Sequence, residues 1–216
     1  MHRPVIALLA LTIASAAEGR ATAGPLAGFL DGSVGLSAPV ADDRYDALVE
    51  AGPQVGVRAG ALVQVHPAGA ESDPRVVVGL DLGFDHTWMN LSDESDDTTL
   101  TRWRFTAGPR VALQFPHVEL FARAGAGVER IHMDTTAILE MLCGDPTIQS
   151  AAFEGALGVG VTTGHLIVGA QLGAGVSDHG GDRPTCKPVG GQPVYVDVLD
   201  TRNVDLNAQL FVGVRL

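Results

Sequence analysis

Apolar and polar residues alternate at a period of two in eight separate segments of this chain of 216 residues. In the segment 101–115, TRWRFTAGPRVALQF, bulky apolar residues take odd positions and three arginines take even positions: Trp103, Phe105 and Val111 against Arg102, Arg104 and Arg110. Successive side chains of a β-strand point to opposite faces, so this period predicts strands with one apolar and one polar face. Similar alternation recurs near residues 30–36, 54–65, 76–88, 118–128, 153–161, 166–176 and 204–216. The sequence therefore predicts an all-β fold of eight strands, each roughly as long as a tilted membrane strand.

The connections between these segments alternate in length. Tight turns are predicted at 114–117 and 162–165, and long loops at 38–47, 91–99, 134–150 and 178–201. The connection 66–74 is longer than the others on the short side. Short turns at one end and long loops at the other are typical of outer-membrane β-barrels. We therefore expect an eight-stranded antiparallel up-and-down transmembrane barrel with a polar, glycine-rich interior.

The polar faces decide which side of the strands is inside. They are rich in glycine, which weakens an exposed strand but suits the narrow interior of an eight-stranded barrel. They also carry charges of both signs, which a confined interior would hold as paired networks. We predict an interior charge network of thirteen residues: Asp31, Arg58, Asp81, Asp85, Arg102, Arg104, Arg110, Glu119, Arg123, Glu129, Glu154, Asp205 and Arg215. Arg75 is a seventh basic residue on the polar face that is predicted to point into the barrel. A soluble barrel with its apolar face inward remains the alternative.

The arginines of segment 101–115 lead to a specific prediction of ion pairs inside the barrel. Its arginines should point into the lumen towards Asp81, Asp85 and Glu119 on the neighbouring strands. Pro109 lacks an N–H, so a local β-bulge is expected there. On the apolar parity, Trp88 and Trp103 flank a long loop, where interfacial aromatics belong.

The N-terminus and the cysteines indicate export. Residues 1–23 combine a basic start, a short apolar run and small residues, as a signal peptide does, with cleavage after Ala17 or Ala23. A buried N-terminal helix is the alternative, and residues 24–216 would form the barrel domain. Cys143 and Cys186 lie in two long loops and predict a disulfide, or else two free thiols. The net charge of −11 excludes a nucleic-acid partner, which requires a basic surface.

From about Leu26 to Leu216 the chain resembles the eight-stranded outer-membrane β-barrels of the OmpA/OmpX type. The resemblance is carried by the alternating strands, the glycine-rich parity and segments such as FTAGPRVAL and the terminal NAQLFVGVRL. It implies a monomer integral to the outer membrane of a Gram-negative cell, with both termini in the periplasm. Outer-membrane lipids, and the barrel-assembly machinery during biogenesis, are then the expected partners, and no cofactor or metal is expected.

The sequence predicts a non-enzymatic role in structure or surface interaction through the long loops. The interior charges form either a salt-bridged plug or a small, gated, porin-like pore, and the narrow lumen favours the plug. Ser177, Asp178 and His179 suggest a lipid hydrolase or acyltransferase only weakly, because a triad is assembled in space. The acidic segment 92–99 is either a solvated loop or a site for divalent cations, although it lacks calcium-loop spacing.

Overall fold

The computed structural model describes residues 26–40, 49–65, 74–90, 99–134, 147–178, 185–189, 192–195 and 202–216. Eight strands close into one antiparallel barrel: β1 (Ala27–Pro39), β2 (Gly52–Gln64), β3 (Arg75–Asn90), β4 (Thr99–Gln114), β5 (Val118–Asp134), β6 (Thr147–Thr163), β7 (Leu166–Asp178) and β10 (Arg202–Arg215). A separate hairpin consists of β8 (Thr185–Val189) and β9 (Gln192–Tyr195). Within the described residues, no helix is long and apolar enough to cross a membrane. The predicted eight-stranded barrel is confirmed.

The strand register sets the size of the barrel. Paired residues can be followed once around the wall from Ala27 back to β1 at Ser37, ten residues further along, through Leu62, Gly79, Arg110, Arg123, Ala156, Gly173 and Asn207. With eight strands, this stagger corresponds to a tilt of about 40° from the barrel axis. Such a barrel has an interior that side chains alone can fill.

The alternation places apolar residues on the outer wall and charged residues inside. Leu157 and Leu172 are both 69% exposed, whereas Arg102, Arg104 and Arg110 are each 1% exposed. This is the opposite of a soluble barrel, whose apolar side chains point inward. The soluble alternative is therefore wrong, because water would have to cover a continuous apolar wall.

Two apolar layers lie inside the barrel, one towards each end. At the end with the tight turns, seven side chains form a buried cluster: Phe29, Leu62, Val77, Ala112, Phe121, Ile167 and Phe211. At the other end, Met89 is paired with Leu100 and Ile131 with Ile148, and all four side chains are buried. The sequence predicts a polar interior, so these layers are a finding of the structure.

The turns and the seam close the wall. Phe115 donates its N–H to Val118 O at 2.8 Å across one predicted tight turn. The turn between β6 and β7 contains Gly164 with φ of 60°, a left-handed conformation that glycine adopts without a steric penalty. Where β1 and β10 meet and close the barrel, the N–H of Leu216 donates to Gly28 O at 2.9 Å.

Pro109 interrupts the β4–β5 ladder without a bulge. Pairs are missing between Ala107↔Ala126 and Arg110↔Arg123, yet the register is the same on both sides of the gap. Pro109 remains paired with Leu80 of β3. The expected bulge is therefore wrong: the chain leaves out hydrogen bonds to β5 and gains no extra residue.

Two boundaries also differ from expectation. β6 begins at Thr147, within the loop predicted to reach residue 150. The hairpin β8–β9 lies within the loop predicted at 178–201. Residues 1–25, which include the predicted signal peptide, and residues 92–98 of the acidic segment 92–99 lie outside the described residues.

Candidate functional site

The central interior group is organised around Glu154 of β6. Its carboxylate accepts hydrogen bonds from Arg58 Nη1 at 2.9 Å, from Arg123 Nη1 at 2.5 Å and from Thr106 Oγ1 at 2.5 Å. Arg58 also contacts Asp85 at 2.5 Å and Asp81 at 3.3 Å. One carboxylate therefore joins two arginines from strands on either side of the lumen.

A second group lies towards the long connections and spans the lumen. Arg104 of β4 donates from Nε to Glu129 Oε2 at 2.7 Å and from Nη2 to Asp205 Oδ1 at 2.6 Å. Arg102 lies beside it, with Nη1 3.0 Å from Asp205 Oδ1 and Nη2 donating to Ser37 Oγ at 2.7 Å. Two arginines on one strand thus share a carboxylate on β10, and Glu129 supplies the second negative charge.

The third group lies towards the tight turns. The guanidinium of Arg110 lies between two aromatic rings, with Cζ 4.5 Å from the centroid of Phe29 and 4.0 Å from that of Phe121. It donates to Glu119 Oε1 at 2.9 Å. Arg215 donates to the same oxygen at 2.9 Å and to Asp31 Oδ1 at 2.6 Å. Cation–π contacts and ion pairing both stabilise the buried guanidinium of Arg110.

The three groups bring together all thirteen residues of the predicted charge network. Asp81 joins the central group to the turn-side group, because it contacts both Arg58 and Arg110. The set contains six arginines and seven carboxylates. Arg75, the seventh predicted base, lies exposed at the start of β3 and forms no ion pair with any residue that the structure describes. The network is nearly balanced, as burial of charge requires.

The pairing expected for segment 101–115 is correct for one arginine and wrong for two. Arg110 contacts Asp81 at 3.4 Å and Glu119 at 2.9 Å, as predicted. Arg102 and Arg104 contact Glu129 and Asp205 instead. Asp85 is paired in register with Arg104, yet its carboxylate contacts Arg58. Long arginine side chains reach across a narrow lumen, so register alone does not determine their partners.

Several glycines make room for this network. A Cβ built on Gly83 would collide with the guanidinium of Arg58, and one on Gly175 would collide with that of Arg104. A Cβ on Gly213 would collide with the carboxylate of Asp31. Glycine at these inward-facing positions therefore leaves the space that the charged side chains of the network occupy.

The interior is suited to structure more than to chemistry. The described residues contain no group of three or more His, Cys, Asp or Glu side chains that could hold a metal ion. The carboxylates of the network are engaged by arginines, and apolar layers lie on both sides of it. Charged and apolar side chains therefore occupy much of the interior that the structure describes.

The structure describes two of the three residues of the hydrolase hypothesis, Ser177 and Asp178. Ser177 points inward, is buried, and donates from Oγ to Glu129 Oε1 at 2.6 Å. Asp178, the next residue of β7, is on the opposite, exposed face. His179 lies outside the described residues, as does Cys143, and the side chain of Cys186 is not described, so the predicted disulfide stays a prediction.

The aromatic residues described on the outward faces of the barrel strands lie on β3, β4 and β6. The rings of His86 and Trp88 are 4.0 Å apart, and those of His86 and Trp103 are 5.3 Å apart. Phe84 and Phe105 follow on the same two strands, with centroids 4.6 Å apart. Trp88 and Trp103 therefore lie on the outward face, as predicted, but in a patch on β3 and β4. The outward residues described for β1, β2 and β7 include no aromatic ring.

Comparisons with known proteins identify the fold. No protein-family model matches the sequence, and no curated protein sequence matches it. The structure is similar to a major outer membrane protein from Thermus thermophilus, with a TM-score of 0.50 and 15% identity over 89% of this chain and 100% of that chain. Ail, the attachment invasion locus protein of Yersinia pestis, has a TM-score of 0.47 and 14% identity over 88% of this chain and 98% of that chain. The outer membrane enzyme PagL has a TM-score of 0.43 and 12% identity over 86% and 98% of the two chains. The chain has the fold of the small outer-membrane β-barrels.

Proposed function

We propose that this protein is a non-enzymatic barrel of the outer membrane that contributes to envelope structure and presents its long loops for surface interactions. β1 begins and β10 ends at the tight-turn end, which in such barrels faces the periplasm. The long connections that follow β1, β3, β5 and β7 would then face the cell exterior.

The observation that carries this proposal is the filled interior. Arg104 and Glu129 are 1% and 0% exposed, although both are charged. A conducting lumen would leave such side chains in contact with water, and an eight-stranded barrel leaves little free space. The interior therefore supports a structural role over a solute channel.

A planar-bilayer recording tests the choice between plug and pore. The purified, inserted protein should give no stable single-channel steps. The Arg104→Ala variant provides the matched comparison, because it shortens a side chain that spans the lumen. Stable conductance of the wild-type protein, abolished by heat denaturation, would overturn the structural role in favour of a channel.

Protease treatment of intact cells tests the orientation. An epitope tag inserted in the segment between β7 and β10 should be removed, while a tag placed after Leu216 should survive until the cells are lysed. Removal of the C-terminal tag from intact cells would reverse the proposed topology.

No specific observation favours an enzyme. Among the described residues, Ser177 has its hydroxyl committed to a buried carboxylate. PagL shows that this fold class includes an enzyme, but the likeness between the two chains concerns the fold alone. Lipid profiling of cells with and without the Ser177→Ala variant should show no difference in acyl chain composition.

A further inference from the structure

On the outward face near the long connections, the structure describes a cation whose position the interior network does not explain. Arg130 of β5 is on the lipid-facing parity, is exposed, and forms no ion pair with any described residue. It is also the single Arg or Lys on the outward faces described for β1 to β7. All six arginines of the interior network have carboxylate partners, whereas Arg130 has none among the described residues, and a cation on an apolar wall is costly unless it meets a negatively charged group.

The strand register shows what surrounds Arg130. Residues opposite each other on adjacent antiparallel strands have Cβ atoms about 5 Å apart. Three outward rows across β3 to β6 follow, from the rim towards the middle of the barrel: Trp88, Thr101, His132 and Thr147; then His86, Trp103, Arg130 and Gln149; then Phe84, Phe105, Val128 and Ala151. We call these three rows the outer-rim patch.

The outer-rim patch changes from polar to apolar with depth. The first two rows contain hydroxyl, imidazole, indole, amide and guanidinium groups, and His132 Nδ1 is 3.3 Å from Thr147 Oγ1. The third row contains only hydrocarbon, and Phe105 and Phe153 nearby are more than half exposed. This order matches a lipid molecule, whose phosphate lies at the interface and whose acyl chains lie below it.

We propose that the outer-rim patch binds the phosphate of an anionic membrane lipid, with Arg130 as the residue that contacts the phosphate. The guanidinium has five donors in a planar fork that suits phosphate oxygens. Gln149 and Trp103, the register partners of Arg130, offer further N–H donors on either side. The aromatic rings of Phe84 and Phe105 would contact the acyl chains. This inference rests on the proposed membrane insertion.

Fluorescence quenching of Trp103 measures the lipid beside Arg130. The chain has two tryptophans, so the Trp88→Phe background leaves Trp103 as the single reporter. The protein is inserted into vesicles in which either phosphatidylglycerol or phosphatidylcholine carries brominated chains at the same mole fraction. Brominated phosphatidylglycerol should quench more strongly, with a local enrichment of about twofold to fivefold, as an exposed ion pair supports.

Substitution of Arg130 assigns the selectivity. Arg130→Gln should remove the difference between the two lipids, and Arg130→Lys should retain part of it. Arg75→Gln is the matched control, because it removes another exposed arginine that forms no ion pair with the described residues, at the opposite end of the barrel. The inference is overturned if both lipids quench Trp103 equally, if Arg130→Gln keeps the difference, or if Arg75→Gln removes it as well.

Insertion is measured separately for every variant by the mobility of boiled and unboiled samples on a gel. A heat-dependent shift without lipid selectivity would refute the proposed lipid site and leave the proposed function intact. No shift for any variant, with protein recovered outside the vesicles, would count against membrane insertion and therefore against both proposals.

Discussion

Glu154 is the carboxylate on which the central interior group depends, and Glu154→Gln is the sharpest perturbation of that group. The Arg123 Nη1 to Glu154 Oε1 distance is 2.5 Å. At an effective dielectric constant of about 20, this distance corresponds to an attraction of about 7 kcal/mol. Glutamine keeps the shape and part of the hydrogen bonding but removes the charge. Because Arg58 retains Asp81 and Asp85 while Arg123 loses its carboxylate partner, we expect a loss of about 3–5 kcal/mol of unfolding free energy.

A double-mutant cycle separates the pair from its surroundings. Arg123→Gln alone should cost less than Glu154→Gln, about 1–3 kcal/mol, since Glu154 keeps Arg58 and Thr106 as donors. The double variant should cost less than the sum of the two single variants, because the uncompensated charge of Arg123 is then absent. Glu50→Gln, which neutralises an exposed carboxylate near the long connections, is the control and should leave the unfolding free energy unchanged.

The assay is equilibrium unfolding in urea of protein inserted in lipid vesicles, followed by tryptophan fluorescence. All four variants must first show the wild-type heat-dependent gel shift, so that folded states are compared. A cost of Glu154→Gln below about 1 kcal/mol, equal to that of an exposed carboxylate, would refute the reasoning. The interior carboxylates would then be well hydrated, and the lumen would be open to water.

Three further predictions follow from the filled interior. Gly83→Ala should destabilise the barrel by about 1–3 kcal/mol, because the new Cβ displaces the guanidinium of Arg58; Gly32→Ala, on the lipid-facing wall with free space around it, should be neutral in the same urea titration. Ser177→Ala should cost about 1–3 kcal/mol in that titration, because it removes the hydrogen bond that Ser177 Oγ donates to the buried carboxylate of Glu129, with lipid composition unchanged by mass spectrometry; altered acyl chains would instead indicate catalysis. The wild-type protein should give no stable conductance steps in a planar bilayer, and regular steps would contradict the plug.

The architecture could be predicted because it depends on a local pattern. A period of two reports the face of each side chain directly, and the parity of Arg102, Arg104 and Arg110 is as expected. The turn at Gly164 and the outward orientation of the apolar side chains are likewise predicted from short stretches of sequence. The excess of glycine on the charged parity was informative for a physical reason, since guanidinium groups occupy the space next to residues such as Gly83.

The partners within the lumen could not be predicted from the same pattern. Register identifies neighbours along the wall, but Arg104 reaches Asp205 on β10, which is four strands from β4 around the wall. The distance depends on the barrel diameter and on the free rotamers of a long side chain. The apolar layers were missed for a related reason, because Phe29 and Phe121 share the parity of the charges and only their height in the barrel separates them.

Pro109 lacks an N–H, and a strand can accommodate this either with a β-bulge or by leaving ladder hydrogen bonds unformed. The sequence alone does not determine which of the two occurs. The expectation was an inserted residue, whereas the strand keeps its register and leaves the ladder to β5 open at that point. Similarly, the aromatic residues Trp88 and Trp103, which are predicted to face outward, form a patch on β3 and β4. Sequence shows that both residues are outward, but only the closed barrel shows which part of the wall they share.

The central claim is that the apolar wall meets lipid and encloses a charged, filled interior. The most direct test is cell fractionation followed by gel migration of boiled and unboiled samples. We predict recovery in the outer-membrane fraction and a clear difference in mobility between the two samples, as expected for a barrel that stays folded until heated. Recovery in the soluble periplasmic fraction, with identical mobility before and after boiling, would contradict the account.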